Sequence, residues 1–362
     1  MAFSLPRYNA PDFSEERFLR APNVRTARAE KDGIAPEGYH ATSIFPEYFK
    51  LDGQWLLADE SRMDSAVVLQ NGALQVPELR NIKSGDLVII GRSEDASEGI
   101  YMHSGAFGDA RAAADSFAFR TGRSRETAFS VDYDNLYELL RYERGHGNIV
   151  WVMGPACAFD ADARRSMQAL ADNGFVHGLL AGNALATHDL EASFLGTALG
   201  QNIYTQKTVH NGHYNHLDLI NTVRRCGSIP RFIEEYAIHD GIICSIVKNA
   251  IPYALTGSIR DDGPLPEVVG DVYEGQMRMR DIIRKATTVI CMATQLHTIA
   301  SGNMTPCFRL VGGVVRPLYI YTVDISEFAV NKLADRGSVS AISMVTNVQD
   351  FVVNVAKNVI PG

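Results

Sequence analysis

Residues 177–189 read His-Gly-Leu-Leu-Ala-Gly-Asn-Ala-Leu-Ala-Thr-His-Asp. A short apolar run, Leu179-Leu180-Ala181, stops at Gly182-Asn183-Ala184, and Asp189 then stands where an aspartate can open a helix. A strand that ends at a small residue and feeds a helix leaves unpaired amide N–H groups, and the positive end of a helix dipole, at one point. Asn183 and Ala184 are therefore candidates for a nucleotide pocket.

Working outward, the same alternation of strand and helix runs to the end of the chain. Ile149–Met153 is a continuous apolar run ending in Gly154-Pro155. Asp160 can cap a helix that turns Ala163, Met167, Leu170 and Ala171 inward and stops at Gly174. Leu190, Phe194 and Ala198 mark a face of the next helix. Strands are expected at Phe175–Ala181, Tyr253–Thr256, Thr287–Met292, Leu318–Val323 and Ser340–Val345, and helices at Asp271–Arg284, Glu327–Arg336 and Val348–Val359. Fully apolar short strands separated by helices predict an α/β fold with a mostly parallel sheet covered on both faces. Asp132 or Asp134 can cap a preceding helix that carries Leu136, Leu139 and Leu140.

Upstream the pattern differs. Gln54–Leu57, Ala66–Gln70, Leu74–Val76, Leu87–Ile90 and Gly99–His103 are short runs broken by turn residues, and Asn71-Gly72 is a hairpin signal. This half reads as a small β-rich domain. Residues 1–38 show no sustained period and read as a loosely ordered extension or an arm over a neighbour.

Composition bounds the function. The chain has 362 residues, 46% apolar and 21% charged, as in a globular enzyme. With 34 basic and 42 acidic side chains the net charge is −8, which argues against nucleic acid or an anionic membrane as partner. Five scattered cysteines without a CxxC pair fit a reducing cytoplasm. No run approaches the roughly 18 apolar residues of a membrane span, and the N-terminus has no signal-peptide pattern.

In an open parallel sheet, ligands bind at the carboxyl ends of the strands. Those ends here carry Gly154-Pro155-Ala156-Cys157, Asn183-Ala184, Gly257 through Pro264, Thr294-Gln295-Leu296-His297, Asp324 and Asn347-Val348. A carboxylate at the position of Asp324 can accept both hydroxyls of an adenosine ribose and repels a 2′-phosphate, favouring NAD over NADP; the alternative is a helix cap, since Ser326-Glu327 follow. A GxGxxG fingerprint is absent. His210, His213 and His216, with Asp218, have a spacing that zinc can use, but Gly212 breaks a helix there and a polar loop is preferred. Cys157 reads as a small buried residue rather than a nucleophile. Asp261-Asp262 is either a ligand contact or a turn. Lys248 could grip a carboxylate or act as a base, or be a solvated helix residue.

Taken together, these strings resemble a known family. They are Gly178 through Asp189, Gly212-His-Tyr-Asn-His-Leu217, Gly257-Ser-Ile-Arg-Asp-Asp-Gly-Pro-Leu-Pro266, Ala293-Thr-Gln-Leu-His297, Gly302-Asn-Met304 and Lys332-Leu-Ala-Asp-Arg-Gly337. The chain resembles the archaeal and cyanobacterial type of NAD-dependent ornithine cyclodeaminase, over roughly residues 40–360. After the extension at 1–38, the resemblance implies a β-rich domain, placed at 39–125, and a Rossmann-like, deoxyhypusine synthase-like NAD-binding domain, placed at 126–362. It implies NAD contacts at Asn183, Ala184, Asp262, Thr294, Gln295, Leu296, His297, Asp324, Asn347 and Val348. One departure is Asn347, where archaeal members tend to carry Asp. The arginine-degrading domain of the cyanobacterial fusion is missing, so arginine hydrolysis is not implied.

The implied reaction is redox-neutral cyclisation of L-ornithine to L-proline with release of ammonia, in a closed, dry pocket. It needs a base, for which Lys248 and His213 are candidates. The alternatives are another NAD-dependent amino-acid enzyme, acting on lysine or a saccharopine-like adduct, and a non-catalytic NAD-binding sensor. The expected partner is a small amino-acid substrate, with no metal, and the chain is expected to form a homo-oligomer.

Overall fold

Two strands show why the second half folds as it does. Ile149–Met153 and Thr288–Met292 are buried at every position, so each must be covered on both faces. Alternate residues divide between two cores. Ile149, Trp151 and Met153 join Leu179, Ala181, Ile290 and Met292 in the larger one. Val150 and Val152 join Leu180, Val289 and Cys291 in the other.

The computed structural model describes residues 3–107, 129–261, 263–327 and 341–361. The β-rich half holds helix α1 (Glu16–Arg20) and strands β1 (Arg25–Arg28), β2 (Glu47–Leu51), β3 (Gln54–Leu57), β4 (Val68–Gln70), β5 (Ala73–Gln75), β6 (Leu87–Ile90) and β7 (Ile100–Met102). They form two antiparallel sheets, ordered β1-β6-β4-β5 and β3-β2-β7. The expected hairpin is present: Gln70 pairs with Ala73, and Asn71 and Gly72 have φ of 52° and 77°, the type I′ geometry.

Beyond it come α2 (Phe129–His146), β8 (Ile149–Met153), α3 (Ala161–Asp172), β9 (Gly178–Gly182), α4 (Asn183–Leu195), β10 (Thr197–Ala198), β11 (Gln201–Asn202), α5 (Asn215–Cys226), α6 (Ile229–Glu235) and α7 (Ile242–Lys248). The chain then runs through β12 (Tyr253–Thr256), β13 (Val268–Val269), α8 (Val272–Ile283), β14 (Thr288–Met292), α9 (Gln295–Met304), β15 (Phe308–Val311), β16 (Val314–Pro317), β17 (Tyr319–Asp324), β18 (Ala341–Val345) and α10 (Val348–Val359). Seven strands form one parallel sheet in the order β13-β12-β9-β8-β14-β17-β18. From β8 the chain moves outward through β9, β12 and β13, then returns to the other side of β8 for β14, β17 and β18. The reversal between β8 and β14 is the switch point at which such sheets bind ligands.

Several expectations are corrected. Within the expected extension, residues 16–20 and 25–28 are not loosely ordered: they form α1 and β1, and β1 pairs with β6. β2 was not expected, because Glu47 and Lys50 interrupt its apolar pattern; both are buried. Lys50 Nζ donates to the carbonyls of Phe18, Leu19 and Ala21 at 2.9, 3.0 and 2.8 Å, neutralising the negative end of α1. Asp132 and Asp134 lie inside α2 instead of capping it. The helix after β9 begins at Asn183, six residues before Asp189, and Ala198 lies beyond it in β10. The expected helix Glu327–Arg336 falls mostly outside the described residues. Among the described residues, no helix is long and apolar enough to cross a membrane.

Candidate functional site

The six longer strands of the parallel sheet end together. Thr256 is level with Gly182, Ala181 with Met153, Met153 with Met292, Met292 with Val323, and Asp324 with Val345. Along this edge lie Asn183 and Ala184 opening α4, Thr294 through His297 opening α9, Asp324 closing β17, and Asn347 and Val348 opening α10. Residues far apart in the chain thus share one edge because each follows a strand of the same direction. Asp262 lies outside the described residues.

Three helix N-termini converge there, and they differ. Among the described residues no side chain caps α4 or α9, preceded by Gly182 and Thr294, so their first-turn amides are available as donors. The α10 terminus is capped by Asn347, whose side-chain oxygen accepts from Gln349 N at 2.8 Å and Asp350 N at 3.4 Å. Val348 packs its side chain into the core, leaving only its backbone toward the edge.

Asn183 is buried, and its Oδ1 accepts from Leu265 N at 3.1 Å and from Thr187 at 3.3 Å. This ties the loop after β12 to the start of α4. His297 reaches across to that strand, with Nε2 2.8 Å from Thr256 Oγ1. Its ring lies over Gly182, where a Cβ would meet Cε1 at 3.2 Å. Burial lowers the His297 pKa against the opposing pull of Asp261, so the ring is neutral near pH 7. Asp261 itself accepts from Ser258 N at 2.8 Å.

Between β14 and β17 a cleft is lined by Cys291, Ala293, Thr294, Gln295, Thr298 and Asp324. Asp324 Oδ1 accepts from Ser326 N at 2.9 Å, so part of its carboxylate closes the turn after the strand. Ala293 has φ of 50°, a left-handed conformation that turns the chain sharply from β14 into α9. Leu296 and Ile325 stand at the rim, 73% and 74% exposed.

Other candidates lie elsewhere. Lys248 is exposed at the end of α7, just before β12 begins, and so sits at the amino edge of the sheet, away from the strand ends. His213 is exposed in a short turn, Gly212–Tyr214. That turn abuts Gly200, which Glu191 holds at 3.1 Å on the far half of α4. Glu191 is eight residues along the helix from Asn183, about 12 Å. Cys157 is fully buried, and burial, reinforced by Asp160, pushes its thiol pKa up to about 12, which disfavours the thiolate. Asp189, read as a helix start, is instead a buried hub. It accepts from Arg164 Nε at 2.8 Å, Ile242 N at 3.1 Å and Ile243 N at 2.7 Å, so it caps α7 and not its own helix.

Sequence reasoning missed Thr256, which holds His297, and Gln349, whose Nε2 bonds Ala156 O at 3.0 Å and fixes the loop after β8 to α10. Neither has a signal beyond its place at a strand or helix end. Gly154 was visible as a strand end, but not its reason: a Cβ there would meet Ala293 O at 1.9 Å.

Comparison with known proteins places this geometry. The family model "Arginine dihydrolase ArgZ-like, C-terminal, Rossmann fold" matches residues 136–355. The ornithine cyclodeaminase of Methanocaldococcus jannaschii is 37% identical over 339 residues, covering 91% of this chain and 76% of that protein. The bifunctional arginine dihydrolase/ornithine cyclodeaminase ArgZ of Synechocystis sp. is 34% identical, covering 91% of this chain but 46% of that protein. Among solved structures, a putative LOR/SDH protein from Methanococcus maripaludis superposes with a TM-score of 0.82 at 32% identity, covering 93% of this chain and 98% of that one. The ternary complex of AgrE with ornithine and NAD⁺ matches with a TM-score of 0.59 at 30% identity, covering 94% of this chain and 46% of that one. This chain, with its parallel sheet reversing between β8 and β14, belongs to the ornithine cyclodeaminase family that includes the ArgZ-like C-terminal Rossmann fold.

Proposed function

We propose that this protein is an NAD-dependent ornithine cyclodeaminase converting L-ornithine to L-proline and ammonia. The observation that carries the reading is the convergence of two uncapped helix N-termini and a strand-end carboxylate at the switch point of the sheet. A relative of the same family, AgrE, is described in complex with ornithine and NAD⁺.

The residues present fit NAD. The first-turn amides of α4 (Asn183, Ala184) and α9 (Thr294–His297) are donors for a pyrophosphate, without a Gly-rich loop. Asp324 is the acceptor for ribose hydroxyls, and Leu296 offers an apolar face to a ring. Asp262, Asn347 and the backbone of Val348 complete the proposed contacts. NAD supplies a hydride acceptor that is restored within the cycle, so no outside oxidant is consumed.

The chain's own groups do the rest. Neutral His297, paired with Thr256 Oγ1, can take up a proton released from the substrate ammonium. The loop after β12 is held to Asn183 through Leu265, a position from which it can shield that edge from water. The reading includes a cytoplasmic setting, supported by five free and buried cysteines.

The test is to incubate the purified chain with ornithine, lysine or saccharopine, with and without added NAD⁺, and to assay ammonia, proline and NADH. Ornithine should yield equal proline and ammonia without net NADH. Accumulating NADH would point to a simple oxidation, and absence of any product would remove the enzymatic reading.

A further inference from the structure

The seam between the β-rich half and α8 buries more positive charge than its own carboxylates neutralise. Arg62, Arg80 and Arg280 all direct a guanidinium at one atom, Glu78 Oε1. Arg62 hydrogen-bonds it, whereas Arg80 and Arg280 stop at 4.0 Å, beyond hydrogen-bond reach. The other Glu78 oxygen is taken by Asn81 Nδ2 at 2.7 Å. Arg280 and Arg284 then share Glu60, at 3.9 and 3.6 Å. Arg284, half exposed, has a further carboxylate, Asp281, at 3.8 Å, so the buried imbalance is that of Arg62, Arg80 and Arg280 against Glu78 and Glu60.

The excess is not satisfied locally. Arg280 is 6% exposed; its Nη2 donates to Val76 O at 3.0 Å, but its Nη1 has no partner among the described residues. Nor have the buried Nε and Nη2 of Arg80, whose guanidinium lies 5.0 Å from the Tyr273 ring on the first turn of α8. Ser65 Oγ, beside the Ala66–Pro77 backbone pair of the same seam, is also buried and unpartnered. Burial lowers the pKa of Arg62 and of Arg280; the nearby carboxylates oppose this and the neighbouring guanidiniums add to it, with the balance downward. A buried donor without an acceptor is destabilising, and more so when it is charged.

We propose that this seam is a binding site for an oxyanion, a carboxylate or phosphate-sized group received by Arg80 and Arg280 beside Glu78. Planar guanidinium forks match the paired oxygens of such groups, and the anion would neutralise the local excess. Two sources share this chemistry: the α-carboxylate of the amino-acid substrate, or a separate small anion.

The probe is inorganic phosphate, exchanged for chloride at constant ionic strength and followed by calorimetry and thermal melting of the full chain. The wild type should show saturable binding and a rise in Tm, and Arg80→Gln and Arg280→Gln should each weaken phosphate about tenfold or more. Arg280→Gln also loses the bond to Val76, so if it does not fold, Arg80→Gln, at a side chain 31% exposed, carries the test. Absence of saturable binding, or wild-type affinity in Arg80→Gln, overturns the site. Competition assigns the source. Displacement of phosphate by L-ornithine but not by 1,4-diaminobutane identifies the substrate carboxylate; simultaneous binding identifies a separate anion. Neither arm requires turnover, so failure here leaves the cyclodeaminase reading to its own assay.

Discussion

Asp324 and Asp189 are both aspartates beside apolar runs, and only one of them was readable in place. Asp324 ends a strand, and the position alone puts its carboxylate on the binding edge. Asp324→Ala should weaken NAD⁺ about tenfold to a hundredfold, the equivalent of the 1.5–3 kcal/mol carried by hydrogen bonds to a charged group. Equilibrium dialysis measures this, and the fold should persist because only the turn to Ser326 is lost. Unchanged retention would sink its assignment to the ribose. Asp189 looks like a cap in sequence, but its partners Ile242 and Ile243 are 53 and 54 residues away. Nothing local could show that.

At the level of elements, six of the seven parallel strands were legible because they are largely apolar, the two-residue β13 was not, and the β4–β5 hairpin was legible because Asn71-Gly72 demands positive φ. Two of the missed elements fail for clear physical reasons. β2 hides Glu47 and Lys50 in buried polar contacts, so its pattern does not look apolar. α9 starts at Gln295 behind a left-handed Ala293, and its N-cap Thr294 makes no side-chain capping bond, so the local sequence marks its start only weakly. The junction of β8 with α9 depends on Gly154, whose amide donates to Met292 O at 2.8 Å. Gly154→Ala would drive a methyl into the Ala293 carbonyl, a backbone atom with little freedom to yield. The expected cost is about 1–3 kcal/mol, with loss of cofactor binding as the strand ends part. Urea denaturation and NAD⁺ titration measure the two effects; an alanine variant with wild-type values for both would show that the strand ends tolerate separation.

For the whole molecule, acid is the revealing variable. The two halves meet through Met63 N to Asn303 O, Cys307 N to Ile44 O, and the Glu78 seam. Burial alone would raise the pKa of Glu78, but the bonds of its own segment, Arg62, Arg280 and Asn81 outweigh it and lower it. Burial likewise opposes Glu191, yet His188, Gly200 N–H, Thr197 and Leu199 N–H hold its pKa below the usual carboxylate value. Both carboxylates therefore stabilise the fold above the unfolded glutamate pKa of about 4.3, and that contribution disappears as pH falls through the lower folded values. Thermal melting from pH 6 to pH 3 should show Tm falling on the acid side, less steeply in Glu191→Gln. A slope identical to wild type would show that the Glu191 bonds form equally in the unfolded chain.

The Asp189 hub sets a clock as well as a position. First-turn amides of a seven-residue helix ordinarily trade hydrogen for deuterium quickly, since no carbonyl of their own helix holds them. Ile242 and Ile243 instead donate to a carboxylate that also binds Arg164 and is closed off from solvent. Their deuterium uptake should follow the slow rhythm of β8 and β14 rather than that of a fraying end. In Asp189→Asn, mass-resolved exchange should show these two sites running ahead of the sheet, making α7 the first part of the domain to open.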